Sequence, residues 1–241
     1  MKREIRDRLI IALDVETIER ALLLVEQLRS SVGMFKIGSQ LFTAAGPEAV
    51  REVSRMGVPI FLDLKFHDIP NTVASAAAEA AKLGVSIFNV HALGGSEMMR
   101  RALEAAQMAA ERGGIARPRV IAVTALTSAD QKTLNELGIA ESPTAFAVRL
   151  AKLAAEVGLD GVVASPHEIR PVRDAVERAS FLIVTPGVRP RWTAHHDQKR
   201  VMTPAEALNA GADYIVIGRA VLDAPDPARA VESIIEEIED S

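Results

Sequence analysis

The chain of 241 residues contains no cysteine, one tryptophan and one tyrosine, and aromatic residues make up only 4% of it. Without cysteine there can be no disulfide, thiolate nucleophile, zinc finger or cysteine-ligated iron–sulfur cluster, and a reducing cytoplasm is the expected compartment. Long apolar runs are missing too. The opening MKREIRDRLIIALDV is charged and then only briefly apolar, and no later stretch approaches the ~18 apolar residues that cross a bilayer, so a soluble, unexported protein is expected. Nor is there an excess of basic charge: 28 Lys and Arg face 32 Asp and Glu, a net charge of −4. That balance gives no field to hold a nucleic-acid backbone or an acidic membrane, and neither is expected as a partner. The sequence also lacks a G-x-G-x-x-G turn after its first apolar run and a Walker A lysine motif, which removes support for dinucleotide and P-loop nucleotide binding.

What the chain has is 49% apolar and 25% charged residues, the balance of a globular fold with a sizeable core. Short β-branched or apolar runs recur eight times, at residues 9–13, 34–37, 58–64, 87–91, 120–125, 161–164, 181–185 and 214–217. Between and after them lie Ala-, Leu-, Glu- and Arg-rich segments with helical spacing, at 17–29, 47–56, 72–83, 97–112, 143–157, 167–178, 204–209 and 227–238. Pro47, Pro143, Pro204 and Pro227 suit first helical turns, Ser128-x-Asp130 and Ser142 suit N-caps, and Gly84, Gly158 and Gly211 suit helix ends. Strict alternation of strand and helix implies parallel pairing through right-handed crossovers. Eight such units, with no linker or break in composition, predict one (β/α)₈ TIM barrel domain over residues 1–241 rather than an open doubly wound sheet. The longest irregular segment, residues 186–202, is long enough to serve as a functional loop.

A barrel of this kind carries its active site at the C-terminal ends of the strands, and those ends are unusually polar here. The first run closes on Asp14, the second carries Lys36, and the third ends Asp63-Leu-Lys65-Phe-His67-Asp68. The fourth holds Asn89 and His91, the fifth leads to Thr124 and Thr127, and the eighth runs into Gly218-Arg219. One buried charge can be a structural ion pair, but several converging on one end of a barrel point to chemistry. Residues two apart on a strand share a face, so Asp63 and Lys65 are expected to project together into the mouth, with Asp68 following on the loop. Neighbouring carboxylates favour the charged ammonium and set Lys65 up as an acid. Gly218 and Arg219 lie where barrels bind phosphate, and the loop carrying Arg189 and Gln198 could close over such a group. The adjacent His195 and His196 make a poor metal site without a third ligand, and no metal is expected.

The segment Phe61-Leu-Asp-Leu-Lys-Phe-His-Asp-Ile-Pro-Asn-Thr72 resembles the signature of the orotidine 5′-monophosphate decarboxylase family, in its bacterial form. The likeness runs the length of the chain in order. It continues through Ala12-Leu-Asp14, Phe35-Lys36-Ile-Gly38, Asn89-Val-His91, Val123-Thr-Ala-Leu-Thr127-Ser, Thr185-Pro-Gly-Val-Arg189-Pro, Asp197-Gln198-Lys-Arg and Ile217-Gly218-Arg219. The resemblance implies a cofactor-free decarboxylation of orotidine 5′-monophosphate to UMP, the last step of de novo pyrimidine synthesis. Lys65 would protonate C6, Asp63 would sit against the leaving carboxylate, and Asp14 and Lys36 would hold the ribose and complete the charge network. Thr127 would meet the pyrimidine, and Arg189, Gln198, Gly218 and Arg219 the phosphate. The catalytic set implied is thus Lys36, Asp63, Lys65 and Asp68, with Ile69 and Thr72 among the substrate-binding residues. It also implies a homodimer in which Asp68 and Thr72 reach across the interface into the partner's site. Two other readings compete: a magnesium-dependent sugar-phosphate aldolase of the 3-hexulose-6-phosphate synthase kind, which shares the D-x-K-x-x-D core, and a non-catalytic barrel that binds a phosphorylated ligand. Phe66-His67 and Ile69-Pro-Asn-Thr72 around that core favour the decarboxylase.

Overall fold

The structure, a computed structural model, describes residues 2–193 and 202–241. Its eight strands are β1 (Leu9–Ala12), β2 (Met34–Gly38), β3 (Ile60–Phe66), β4 (Ile87–His91), β5 (Arg119–Val123), β6 (Gly161–Val163), β7 (Leu182–Pro186) and β8 (Tyr214–Ile217). All neighbours pair in parallel and in sequence order, and β8 pairs back onto β1 through Ile10 and Val216, closing the barrel.

Alternation along the strands separates two apolar layers. Ile10, Met34, Phe61, Ile87, Ile121, Val163, Val184 and Val216 fill the barrel interior as one buried cluster. Their sequence neighbours Leu9, Ile11, Phe35, Ile37, Phe88, Val120, Val162, Ile183 and Ile215 face outward into a second cluster shared with the helices. Because both faces of each strand are covered, the strands read as continuous apolar runs.

The helices begin and end for local reasons. The helix Pro143–Val157 starts where the Ser142 hydroxyl accepts from the Ala145 N–H, with proline in its first turn. Losing such a cap costs about 1 kcal/mol. Phe146, Leu150 and Ala154 recur every four residues and bury one face, and the helix stops at Gly158, whose φ of +96° suits a residue without a Cβ. Asp130 likewise caps a short helix, Gln131–Glu136, through the Thr133 N–H.

Most element bounds agree with the sequence pattern to within about two residues, and three departures have an identifiable form. Third-run pairing starts at Ile60 rather than residue 58, because Pro59 has no N–H and enters only through its carbonyl, which accepts from Phe35; the strand then continues to Phe66. The segment expected as a helix over 167–178 is a 3₁₀ turn, Pro166–Glu168, followed by Ile169–Ala175. Its tail is diverted where the Arg178 guanidinium stacks over Phe181 and donates to the Leu159 carbonyl. Short helices Lys2–Asp7, Ser39–Ala45, Gln131–Glu136 and Arg219–Leu222 occupy segments that the periodicity leaves unassigned. Among the described residues no helix is long and apolar enough to cross a membrane.

Candidate active site

Register places the charges. Lys36 pairs with Ala12 and Phe61, both interior residues, so its side chain points into the barrel one layer above Met34. Asp63, two residues beyond Phe61, lies beside Gly38. A Cβ at Gly38 would stand 2.8 Å from Lys36 Nζ and 3.2 Å from Asp14 Oδ1, so glycine at this position leaves room for the ion pair. The four groups form one row of alternating sign. Asp14 Oδ1 is 3.0 Å from Lys36 Nζ, Lys36 Nζ is 3.4 Å from Asp63 Oδ2, and Asp63 Oδ1 is 2.7 Å from Lys65 Nζ. Lys36 and Asp63 are nearly buried, whereas Lys65 and Asp14 stay open to the cavity. Charges this deep persist because each has an opposite neighbour.

The third strand does not run straight to its end. Between Leu62 and Phe66 its register against β4 shifts, and within the shift Lys65 takes a φ of +52°. No other described residue except glycine has a positive φ. Such a conformation costs about 1–2 kcal/mol and concentrates at functional sites. Asp63 and Lys65 therefore do meet in the mouth, but through a bulge rather than through the simple alternation of a regular strand. Asn89 on β4 joins them: its Oδ1 accepts from the Lys65 N–H at 2.8 Å and its Nδ2 donates to Asp63 Oδ1 at 2.7 Å. The sequence offered one sign of this, a polar residue at an inward position of an apolar strand.

Burial pushes the Asp63 carboxyl upward, but the charges of Lys36 and Lys65, with hydrogen bonds from Lys65 and Asn89, outweigh it and hold the group below its ordinary value. Near Lys65, His67 and His91 stack with ring centroids 5.2 Å apart. Burial, then His67 and Lys65, lower His91 from 6.5 to about 4, so it is neutral near pH 7. In the unfolded chain the same group protonates near 6.5, so below that pH the unfolded state binds the proton first and stability falls as the pH drops from 6.5 towards about 4. We expect the urea midpoint to fall more between pH 7 and pH 5 for the native chain than for His91→Gln; equal falls would remove His91 as the cause.

Together these ends enclose a cavity of about 460 Å³, within the range of small-molecule sites. Asp14, Lys36, Asp63, Lys65, Thr127, Arg189, Gly218 and Arg219 all line it. Ser39, Pro186 and the apolar Phe61, Val163 and Val216 are among the other wall residues. Sequence reading singled out none of these five for the site, although each sits within three residues of a polar strand end or at an interior position. Asp68, Ile69 and Thr72 are exposed and do not line the cavity of their own chain. The Asp68 carboxylate instead accepts from the Ile69 N–H at 2.6 Å, and among the described residues Lys65 has Asp63 alone as its carboxylate contact. Thr124 is buried, its hydroxyl donating to the Val163 carbonyl. Gln198, His195 and His196 lie outside the described residues. The cavity thus combines an ammonium against a fixed carboxylate, two guanidiniums just beyond the ends of β7 and β8, and an apolar floor.

A family model described as orotidine 5'-phosphate decarboxylase / HUMPS family matches residues 7–234. The orotidine 5'-phosphate decarboxylase of Geobacter sulfurreducens is 56% identical over 97% of this chain and 96% of its own. That of Geobacter metallireducens is 55% identical with the same coverage. The crystal structure of orotidine 5'-phosphate decarboxylase from Lactobacillus acidophilus superposes with a TM-score of 0.82 at 37% identity, covering 95% of this chain and 98% of that one. With the model spanning nearly the whole barrel, and relatives sharing more than half of its residues from end to end, the chain belongs to the orotidine 5'-phosphate decarboxylase / HUMPS family.

Proposed function

We propose that this protein converts orotidine 5′-monophosphate to UMP and CO₂, the last step of de novo pyrimidine synthesis, with no metal or organic cofactor. The observation that carries the reading is the Lys65 ammonium, fixed against Asp63 at the mouth of a cavity whose far strands supply Arg189 and Arg219. Breaking the bond from C6 to the carboxylate leaves an electron pair in the plane of the pyrimidine, where the ring π system cannot spread it. A preorganised cation placed where that charge develops lowers the barrier, because the stabilisation is made in the transition state. Lys65 supplies the cation and then the proton to C6, and its amine regains a proton from solvent. Asp63, beside the substrate carboxylate, disfavours the bound ground state, a strain relieved as neutral CO₂ departs. Asp14 and Lys36 hold the ribose hydroxyls, Thr127 the pyrimidine, and Arg189, Gln198, Gly218 and Arg219 the phosphate.

The same reading makes the active unit a homodimer. Asp68 and Thr72 stand outside their own chain's cavity, where they can complete the partner's site. All 241 residues serve one barrel domain, working in the cytoplasm, with neither nucleic acid nor membrane as partner. The magnesium-dependent aldolase is disfavoured by the state of Asp63. Each of its oxygens already faces an ammonium, Oδ1 that of Lys65 and Oδ2 that of Lys36, which leaves a poor ligand for a divalent ion.

The test is product analysis. Purified protein treated with EDTA and given orotidine 5′-monophosphate should release one CO₂ per UMP formed; a need for magnesium would favour the aldolase, and tight binding without turnover the ligand-binding barrel. A second expectation concerns Arg219. A guanidinium–phosphate contact contributes roughly 1.5–3 kcal/mol, so Arg219→Ala should lower kcat/KM about 10- to 100-fold for the nucleotide. With orotidine itself, which has no phosphate, the change should be under about twofold. Equal losses with both substrates would place Arg219 elsewhere.

A further inference from the structure

Asn89 is fully buried in the barrel and does not line the cavity. Both ends of its amide are spent on the two residues around the proton donor. Which end faces which partner is dictated by chemistry. The Lys65 N–H can only donate, so it requires Oδ1, and the Asp63 carboxylate can only accept, so it requires Nδ2.

The need for this side chain follows from the bulge. Where β3 and β4 lose register between Leu62 and Phe66, the ladder gives the Lys65 N–H no backbone partner on β4, and the Asn89 oxygen takes its place. The result is a closed ring of contacts. Lys65 N–H holds Asn89, Asn89 holds Asp63 Oδ1, and Asp63 Oδ1 holds Lys65 Nζ. Backbone and ammonium of the same lysine are thereby fixed against one carboxylate oxygen, while Asp63 Oδ2 is left to Lys36.

We infer that Asn89 is a positioning residue for the reaction, holding Lys65 in its left-handed conformation and orienting the Asp63 carboxylate so that the ammonium points at the substrate's reacting carbon. The role deepens the decarboxylase reading and rests on it. The charged and titratable groups around Asp63 are Lys36 from β2, Lys65 from its own strand, Asp14 beyond Lys36, and the His67–His91 pair near Lys65.

Two variants test the inference. Asn89→Ala removes both hydrogen bonds, and kcat should fall about 100-fold, the cost of an ångström-scale misplacement, with KM changing less than about threefold because the phosphate and ribose contacts are untouched. Asn89→Asp keeps the shape and the acceptor for Lys65 N–H, but when ionised it sets one carboxylate against another. Its kcat should be low at pH 8 and rise as the pH falls towards 6, because the protonated new carboxyl can donate to Asp63 as the amide does. Over the same range the native enzyme should be flat. Without any substrate, the Asp63 carboxyl followed by ¹³C NMR should titrate at higher pH in Asn89→Ala than in the native chain. An inactive native protein would overturn the decarboxylase reading, whereas unchanged Asp63 titration would overturn the role of Asn89. Native-like kcat in Asn89→Ala, or a native pH profile in Asn89→Asp, would overturn it as well.

Discussion

Lys65→Ala should lower the turnover of orotidine 5′-monophosphate by about 10⁴-fold or more while leaving the barrel folded. One group is being asked to supply both a cation for the developing carbanion and the proton that quenches it, and each role alone is worth roughly 10²–10⁴-fold. The fold should survive because the ammonium contributes to no apolar layer. Its side chain is 37% exposed, and Asp63 keeps Lys36 as a counter-ion. The backbone supplies a further expectation. At a φ of +52° a residue without a Cβ is relaxed, so Lys65→Gly should be more stable than Lys65→Ala by about 1 kcal/mol, although both are inactive. Urea midpoints and a single-turnover absorbance assay check the pair; near-native turnover in either folded variant would remove Lys65 from the chemistry.

Mixing two inactive proteins should restore activity. In the shared-site reading each site takes Lys65 from one chain and Asp68 from the other, consistent with an Asp68 that is exposed and absent from its own cavity. A hybrid of Lys65→Ala and Asp68→Ala chains then has one site with both lesions and one with neither. Random pairing of equal amounts makes half the dimers hybrid with half their sites intact, so co-refolded material should approach about a quarter of native activity. If Asp68 served its own chain, every hybrid site would carry a lesion. Verified hybrids, separated by two different tags, that recover nothing would place Asp68 within one subunit.

The barrel was legible because its signal is local and repeated: alternation of apolar runs with helical segments, punctuated by Pro47, Pro143, Pro204 and Pro227 at helix starts. Boundaries slipped where one residue changes the hydrogen-bond arithmetic, as Pro59 does ahead of β3. The polar ends of the strands were equally legible, since register carries Asp14, Lys36, Asp63, Lys65 and Arg219 to one cavity. What could not be read were the consequences of the bulge. The left-handed Lys65 donates its N–H to the side chain of a residue 24 positions away, and no local pattern announces that contact. Asp68, Ile69 and Thr72 follow Lys65 in one contiguous motif, yet the chain turns them away from their own cavity after β3 ends at Phe66.

The central claim is an electron pair left in the ring plane at C6 and quenched there by Lys65. It is tested most directly by running the reaction to completion in D₂O and locating the label in UMP by proton NMR. The account predicts one deuterium at C6, from the exchanged Lys65 ammonium, and none at C5. Deuterium at C5 would mean that the ring is protonated at its double bond instead, and protium at C6 would mean that the hydrogen never came from an exchangeable donor; either result would contradict the account.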